Sequence, residues 1–164
     1  NKAAEQGHPE AQHSLGSYYT FGNSGKTDEG LKWLRKSANQ GHVKAMFALG
    51  CYYDDAIVRT PKFEEAAEWY AKAAERNYPP AQKYLSNMYA QGEGVSQSWQ
   101  KAYFWGCLSV RCFERTPAPV NPYVMSYPSR DHTDPMEAEK HLSRTDIETI
   151  RREASKWEPR TETR

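Results

Sequence analysis

The sequence predicts an all-α protein, a right-handed α-solenoid of about three helix-turn-helix units closed by a C-terminal capping helix. Three observations predict it. One set of small and aromatic residues recurs in register about every 35 residues, within the range typical of helical repeats. Inside each recurrence the apolar residues keep helical spacing. Between the helical stretches lie turn residues, most clearly FGNSGKT and QGEGV.

The register is explicit. Placing Gly7 on Gly41 and Asn77 brings Ala11 onto Ala45 and Ala81, Leu15 onto Leu49 and Leu85, and Tyr19 onto Tyr53 and Tyr89. Further along, Trp33 falls on Trp69 and Trp105, and Ala38 on Ala74 and Val110. The repeats therefore occupy residues 1–112, as units 7–40, 41–76 and 77–112, with Ala3, Ala4 and Gly7 reading as the tail of a further repeat. The first helix of each unit is expected to begin near Pro9, Val43 or Pro79 and to run to Tyr19, Tyr53 or Tyr89. Pro9 and Pro79 suit a first helical turn, where the missing amide has no helical partner anyway. The second helix is expected from Asp28, Lys62 or Ser98. Such a pair cannot bury its apolar face alone, so neighbouring units must stack and share a core. Ala11, Ala45, Ala81, Gly16 and Gly50 let helix backbones approach closely, which gives these residues a reason to stand in helix interiors where glycine alone costs about 1 kcal/mol against alanine.

After the repeats, residues 113–135 form a Pro-rich loop, and loops of that length in compact domains are often functional. An insertion that merely wraps the last helix is an equal reading. Residues 136–164 supply the cap and tail. Ser143 or Thr145 is placed to N-cap the final helix, with Ile147, Ile150, Ala154 and Trp157 on one face.

Composition narrows the function classes. Lys and Arg number 22 against 21 Asp and Glu, a balance that points away from nucleic acid and from a polybasic membrane anchor. No apolar run reaches the roughly 18 to 20 residues needed to span a bilayer. The opening NKAAEQGHPE has neither the basic start nor the apolar stretch of a signal peptide, and it reads as a trimmed or mature start. Cys51, Cys107 and Cys112 form no CxxC pair, and the last two project about 140° apart on a helix, which disfavours a bridge between them. All three read as small buried apolar residues.

Little in the chain points to catalysis. His8 and His42 occupy the same place in consecutive units, just after the repeat glycine, and read as turn residues. His132 and His141 lie in the loop and cap without ligand spacing, so neither metal nor cofactor is expected. Ser98, Trp99, Gln100 and Lys101 spell SxxK, the nucleophile motif of serine β-lactamases, but neither SDN nor KTG accompanies it.

GHPEAQHSLGSYY, GHVKAMFALGCYY, QGEGV and EAAEWYAKAA together follow the pattern GxxxAxxxLGxxY, GxGV turn, AxxWxxxAA. This resembles the Sel1-like repeat, a relative of the tetratricopeptide repeat, over about two thirds of the chain. The departures are FGNSGKT and the glycine-free DDAIVRTPKF in the first two turns, and Ser86 and Asn77 at glycine positions of the third unit. The EAEKHLSRTDIETIRREASKWEP tail also resembles the closing helices that follow such arrays. The resemblance implies a bacterial, non-enzymatic adaptor or scaffold that binds another protein, with the periplasm slightly favoured over the cytoplasm. An immunity protein neutralising a cognate toxin such as a phospholipase effector is one alternative. A β-lactam-binding enzyme using Ser98 and Lys101 is another, since some Sel1-like proteins are described as penicillin binders. No feature of the sequence assigns an oligomeric state.

In helical-repeat arrays the first helix of each pair usually lines the concave side. A helical wheel turns Ala11, Leu15 and Tyr18 inward and His13, Ser17 and Thr20 outward, with Phe47, Cys51, Asp54, Lys83, Asn87 and Ala90 outward in the later units. The expected partner-binding residues are thus His13, Ser17, Phe47, Cys51, Asp54, Lys83 and Asn87, with Phe47 as an aromatic anchor. Tyr123, Met125 and Tyr127 in the loop form a second expected patch.

Overall fold

The computed structural model describes residues 2–22, 24–54, 60–115 and 135–160, all helix and connecting turn with no strand among them. In chain order the elements are α1 (Lys2–Glu5), α2 (Pro9–Phe21), α3 (Thr27–Asn39), α4 (Val43–Asp54), α5 (Phe63–Ala74), α6 (Pro79–Gln91), α7 (Trp99–Arg115), a 3-10 helix (Pro135–His141) and α8 (Arg144–Lys156). The pairs α2–α3, α4–α5 and α6–α7 are the three units, and each packs on the next through α3–α4 and α5–α6.

The step between units is built the same way each time. The chain leaves the preceding helix through a residue of positive φ, at Gly7 (93°), Gly41 (84°) and Asn77 (61°). Asparagine is among the few L-residues that enter this region readily, which is how the third unit dispenses with glycine. The amides of these residues and of the ones that follow donate back to the end of the previous helix, as Gly41 does to Ala38 O at 2.9 Å and Asn77 to Ala74 O at 3.0 Å. Gln12 and Gln82, which share one repeat position, each donate a side-chain N–H to the carbonyl of a preceding helix, Ala4 O at 3.1 Å and Ala74 O at 3.2 Å.

Within a unit the small residues set the spacing. A methyl group on Gly16 would stand 2.8 Å from the backbone nitrogen of Leu34 and 3.0 Å from the carbonyl oxygen of Gly30, so α2 and α3 touch backbone to backbone there. In the third unit Ser86 occupies the same position, and its hydroxyl donates to Ala102 O on α7 at 2.6 Å. That bond satisfies a polar side chain at a contact where the earlier units have none.

The core follows this stacking. Leu34, Leu49, Leu85, Tyr70 and Tyr103 are all fully enclosed. Along α4 every residue from Ala45 to Cys51 is buried, followed by Tyr53 and Asp54. The wheel assignment therefore fails for this helix. Phe47 is only 4% exposed and lies in an aromatic nest with Tyr70, Tyr78 and Tyr84, its ring centroid 5.3 to 5.6 Å from theirs. Cys51, Asp54 and Asn87 are buried as well, as are Thr20 and Ala90. The reason is geometric: a middle helix is packed by its own unit on one flank and by the next unit on another, so its apolar arc is wider than the one-sided stripe a single wheel assumes. Tyr18 is corrected in the opposite sense. Expected inside, it is 66% exposed.

The cap closes the far end. Ser143 N-caps α8 in a full capping box, its hydroxyl accepting the Asp146 amide while the Asp146 carboxylate accepts the Ser143 amide. Ile150 and Ala154 are buried, with Ile147 and Trp157 half-buried beside them. Tyr103 on α7 joins the cap to the array: its hydroxyl donates to Glu139 and accepts from Arg151 Nε at 2.7 Å, and Arg151 Nη2 meets the same Glu139 carboxylate at 2.6 Å. Burial, with the Glu139 carboxylate beside it, pushes the Tyr103 hydroxyl far above its ordinary range, which keeps it a neutral donor. Arg160 ties the end of the cap to α5, its amide donating to Glu75 O at 2.8 Å and its guanidinium pairing with the Glu75 carboxylate at 3.0 Å.

Two substitutions test this packing by urea denaturation followed by circular dichroism. Gly16→Ala forces the α2–α3 contact apart and is expected to cost about 1 to 3 kcal/mol. Phe47→Ala empties the aromatic nest and is expected to cost about 3 to 5 kcal/mol. A Phe47→Ala protein as stable as the parent would place that ring on the surface after all.

Candidate functional site

The first helices of the units divide sharply in what they leave open. Of the residues expected on a binding face, His13, Ser17 and Lys83 remain partly accessible. Phe47, Cys51, Asp54 and Asn87 are taken up by the core. Asp54 accepts the Tyr70 hydroxyl at 3.3 Å, and burial drives that hydroxyl well above its usual range, so the pair works as a neutral donor to a carboxylate inside the stack. Tyr123, Met125 and Tyr127 lie outside the described residues.

What α2 presents instead is a continuous strip. Glu10, Ser14, Ser17, Tyr18 and Phe21 fall within one arc of the helix by their spacing, with His13 at its edge. Glu10, Ser14 and Tyr18 are exposed and Ser17 and Phe21 half-buried. Tyr18 occupies the repeat position of Tyr52 and Met88, of which the first is half-buried and the second buried. Coverage at this position therefore increases along the array, and the first unit shows the aromatic ring most openly.

At the N-terminal end of the strip lies a polar cluster that crosses a unit boundary. Glu10 and His13 stand one turn apart on α2, and His42 reaches them from the turn that enters α4. His42 Nε2 and Glu10 Oε2 are 2.7 Å apart, and the two imidazole rings pack with centroids 4.9 Å apart. Both Nδ1 atoms are buried without a hydrogen-bond partner among the described residues. Burial lowers the His13 imidazole to about 4, helped by the nearby His42 and Lys44 and opposed by Glu10. The hydrogen bond from His42 is the main cause that holds the Glu10 carboxylate below its ordinary value. At neutral pH His13 is a neutral imidazole and Glu10 a carboxylate.

Taken singly along the sequence, His42 belongs to a turn and His13 to an outward face. The signal that joins them is the register itself. Position 13 of one unit faces the position after the glycine of the next, as Phe47 faces Tyr78 one unit later.

Around the SxxK motif, Ser98 Oγ accepts the Lys101 amide at 3.3 Å, as a helix cap does. The Lys101 ammonium lies over the Tyr89 ring, 5.0 Å from its centroid. His141 is exposed and stacks on Trp99, the ring centroids 3.8 Å apart.

Comparison with known proteins places this geometry. The model of the Sel1 repeat matches residues 9–42, 43–78 and 79–109. Among solved structures, a Sel1 repeat protein from Oxalobacter formigenes is similar at 29% identity with a TM-score of 0.60, over 65% of this chain and 45% of that one. A protective antigen present in uropathogenic Escherichia coli strains, displaying an SLR fold, is similar at 25% identity with a TM-score of 0.57, over 99% of this chain and 36% of that one. The chain thus spans less than half the length of either. No curated protein matches it.

The cluster makes stability depend on pH. The unfolded chain protonates His13 near 6.5, and the folded chain does so only near 4. The stabilisation is therefore complete above about 6.5 and is lost as pH falls toward about 4. Glu10, lowered in the folded state, adds a loss in the same direction below its ordinary value of 4.5. His13→Phe, which cannot take up a proton, is expected to flatten the fall in urea midpoint between about pH 6.5 and 4.5, and an unchanged slope would remove His13 as its source.

Proposed function

Because the chain belongs to the Sel1 repeat family, whose members are generally protein–protein interaction modules, we propose that it is a non-enzymatic adaptor or scaffold that binds another protein through the open strip of α2. The observation that carries this reading is Tyr18. It is a large aromatic side chain left 66% exposed on a rigid helix, whereas the other tyrosines of the first helices are at least partly packed away. Tyrosine is a favoured anchor because it brings a large, stiff contact surface and a hydroxyl at small entropic cost. Ser17 lies beside it on the strip with a hydroxyl able to satisfy a partner's backbone, part of the mixture expected of an interface rim. Lys83, at the repeat position of His13, extends the accessible polar surface to the third unit. The Pro-rich segment 113–135 is a second proposed contact, and neutralisation of a secreted toxin is one form that such binding would take.

No observation favours acyl transfer at Ser98. Its hydroxyl serves as a helix cap, and the neighbouring ammonium is directed onto an aromatic ring. A nucleophile needs a base within hydrogen-bond reach.

The test is capture of a partner from bacterial lysate and periplasmic extract on the immobilised protein. Tyr18→Asp is expected to abolish capture while leaving the circular dichroism spectrum unchanged, since the side chain supports no core. Replacing residues 116–134 by a short Gly/Ser linker separates the loop's contribution. A partner retained by both variants would place the interface elsewhere on the array.

A further inference from the structure

We propose that Glu10, His13 and His42 bind a single divalent transition-metal cation of the zinc type at the boundary between the first and second units. One ligand atom from each of the three side chains lies within 4.8 Å of the others. Two imidazoles and one carboxylate are a donor set that suits zinc and leaves a fourth tetrahedral position to water. Nitrogen donors also select against magnesium and calcium, which require oxygen.

Packing does not explain the choice of residues. The next boundary fills the same positions with Phe47 and Tyr78, whose ring centroids are 5.3 Å apart. That pair shows that hydrocarbon rings meet the stacking requirement. Here two imidazoles stand in the slot, each with a buried Nδ1 that finds no hydrogen bond among the described residues, and buried polar atoms left so are costly and uncommon. The His42 nitrogen that meets Glu10 is Nε2, and that same atom would turn from the carboxylate to the ion.

The rearrangement required is small. Ligand atoms about 2.0 to 2.2 Å from a tetrahedral ion stand roughly 3.3 to 3.6 Å from one another. Glu10 and His42 would separate slightly from their present 2.7 Å and His13 would draw in by about an ångström. The charges facing the cluster are those of Glu10 itself and of Lys44. Lys44 opposes the cation but is exposed and able to turn into solvent.

The experiment titrates the chelator-treated protein with Co²⁺, follows the visible ligand-field bands and then displaces the ion with Zn²⁺. The expected result is one ion per chain with the intense bands of tetrahedral coordination. The double variant His13→Phe, His42→Tyr installs the ring pair of the next boundary and so preserves stacking. Its affinity should fall at least about 100-fold, beyond the 10- to 100-fold typical of losing an outer partner. Glu10→Gln, an exposed position whose exchange cannot disturb the core, should weaken binding at least about 10-fold. Only weak octahedral Co²⁺ bands with the parent protein, or affinity that survives both the double variant and Glu10→Gln, would overturn the proposal and assign any bound ion to the remaining histidines or cysteines.

Discussion

A helix such as α4, in which Ala45, Ala48, Gly50 and Cys51 are all buried, holds its place only through the helices stacked around it. Alanine and glycine bring little apolar area of their own, and glycine weakens a helix interior. Their value lies in the close approach they permit, which lets long side chains from neighbouring helices complete the core. Tyr70 lies against Gly50, where an added methyl would come within 2.5 Å of the ring. Across the unit boundary Tyr78 and Tyr84 reach Phe47, so removing one unit would leave its neighbour without rings that fill it, and stability in this chain belongs to the contacts between helices more than to any helix.

This dependence explains which parts of the fold could be read from sequence. The register of small and aromatic residues located all six repeat helices, because the spacing of Ala, Leu and Tyr is imposed by the backbone contacts themselves. Ser143 could be read as a cap because its chemistry is local. The outward face could not, because burial of a middle helix is decided by units more than thirty residues away in the chain, and a wheel drawn on Val43–Asp54 alone contains nothing about them. For that reason the wheel turns Phe47 outward. Tyr18 shows the converse, turned inward by the wheel yet 66% exposed.

The candidate site was legible only in pieces. His42 after the repeat glycine and His13 five residues beyond its own unit's counterpart were both visible, yet nothing local joins them. Their contact follows from the rule that position 13 of one unit faces position 8 of the next. The rule becomes apparent only when the Phe47–Tyr78 and His13–His42 pairs are laid over each other.

That comparison also separates two kinds of position in the array. Where backbones touch, as at Gly16 against Gly30, the residue is confined to glycine or to a small side chain that satisfies its own polar group, as Ser86 does. Where side chains meet across a unit boundary, the requirement is for a ring of suitable volume, and phenyl, phenol and imidazole all supply it. The stacking requirement by itself therefore leaves the chemistry at the boundaries open. The boundary that carries two histidines and a glutamate also adjoins the strip that exposes Tyr18. A partner lying along α2 would pass over both, so recognition by the aromatic ring and any ion held at Glu10 would act on the same bound segment.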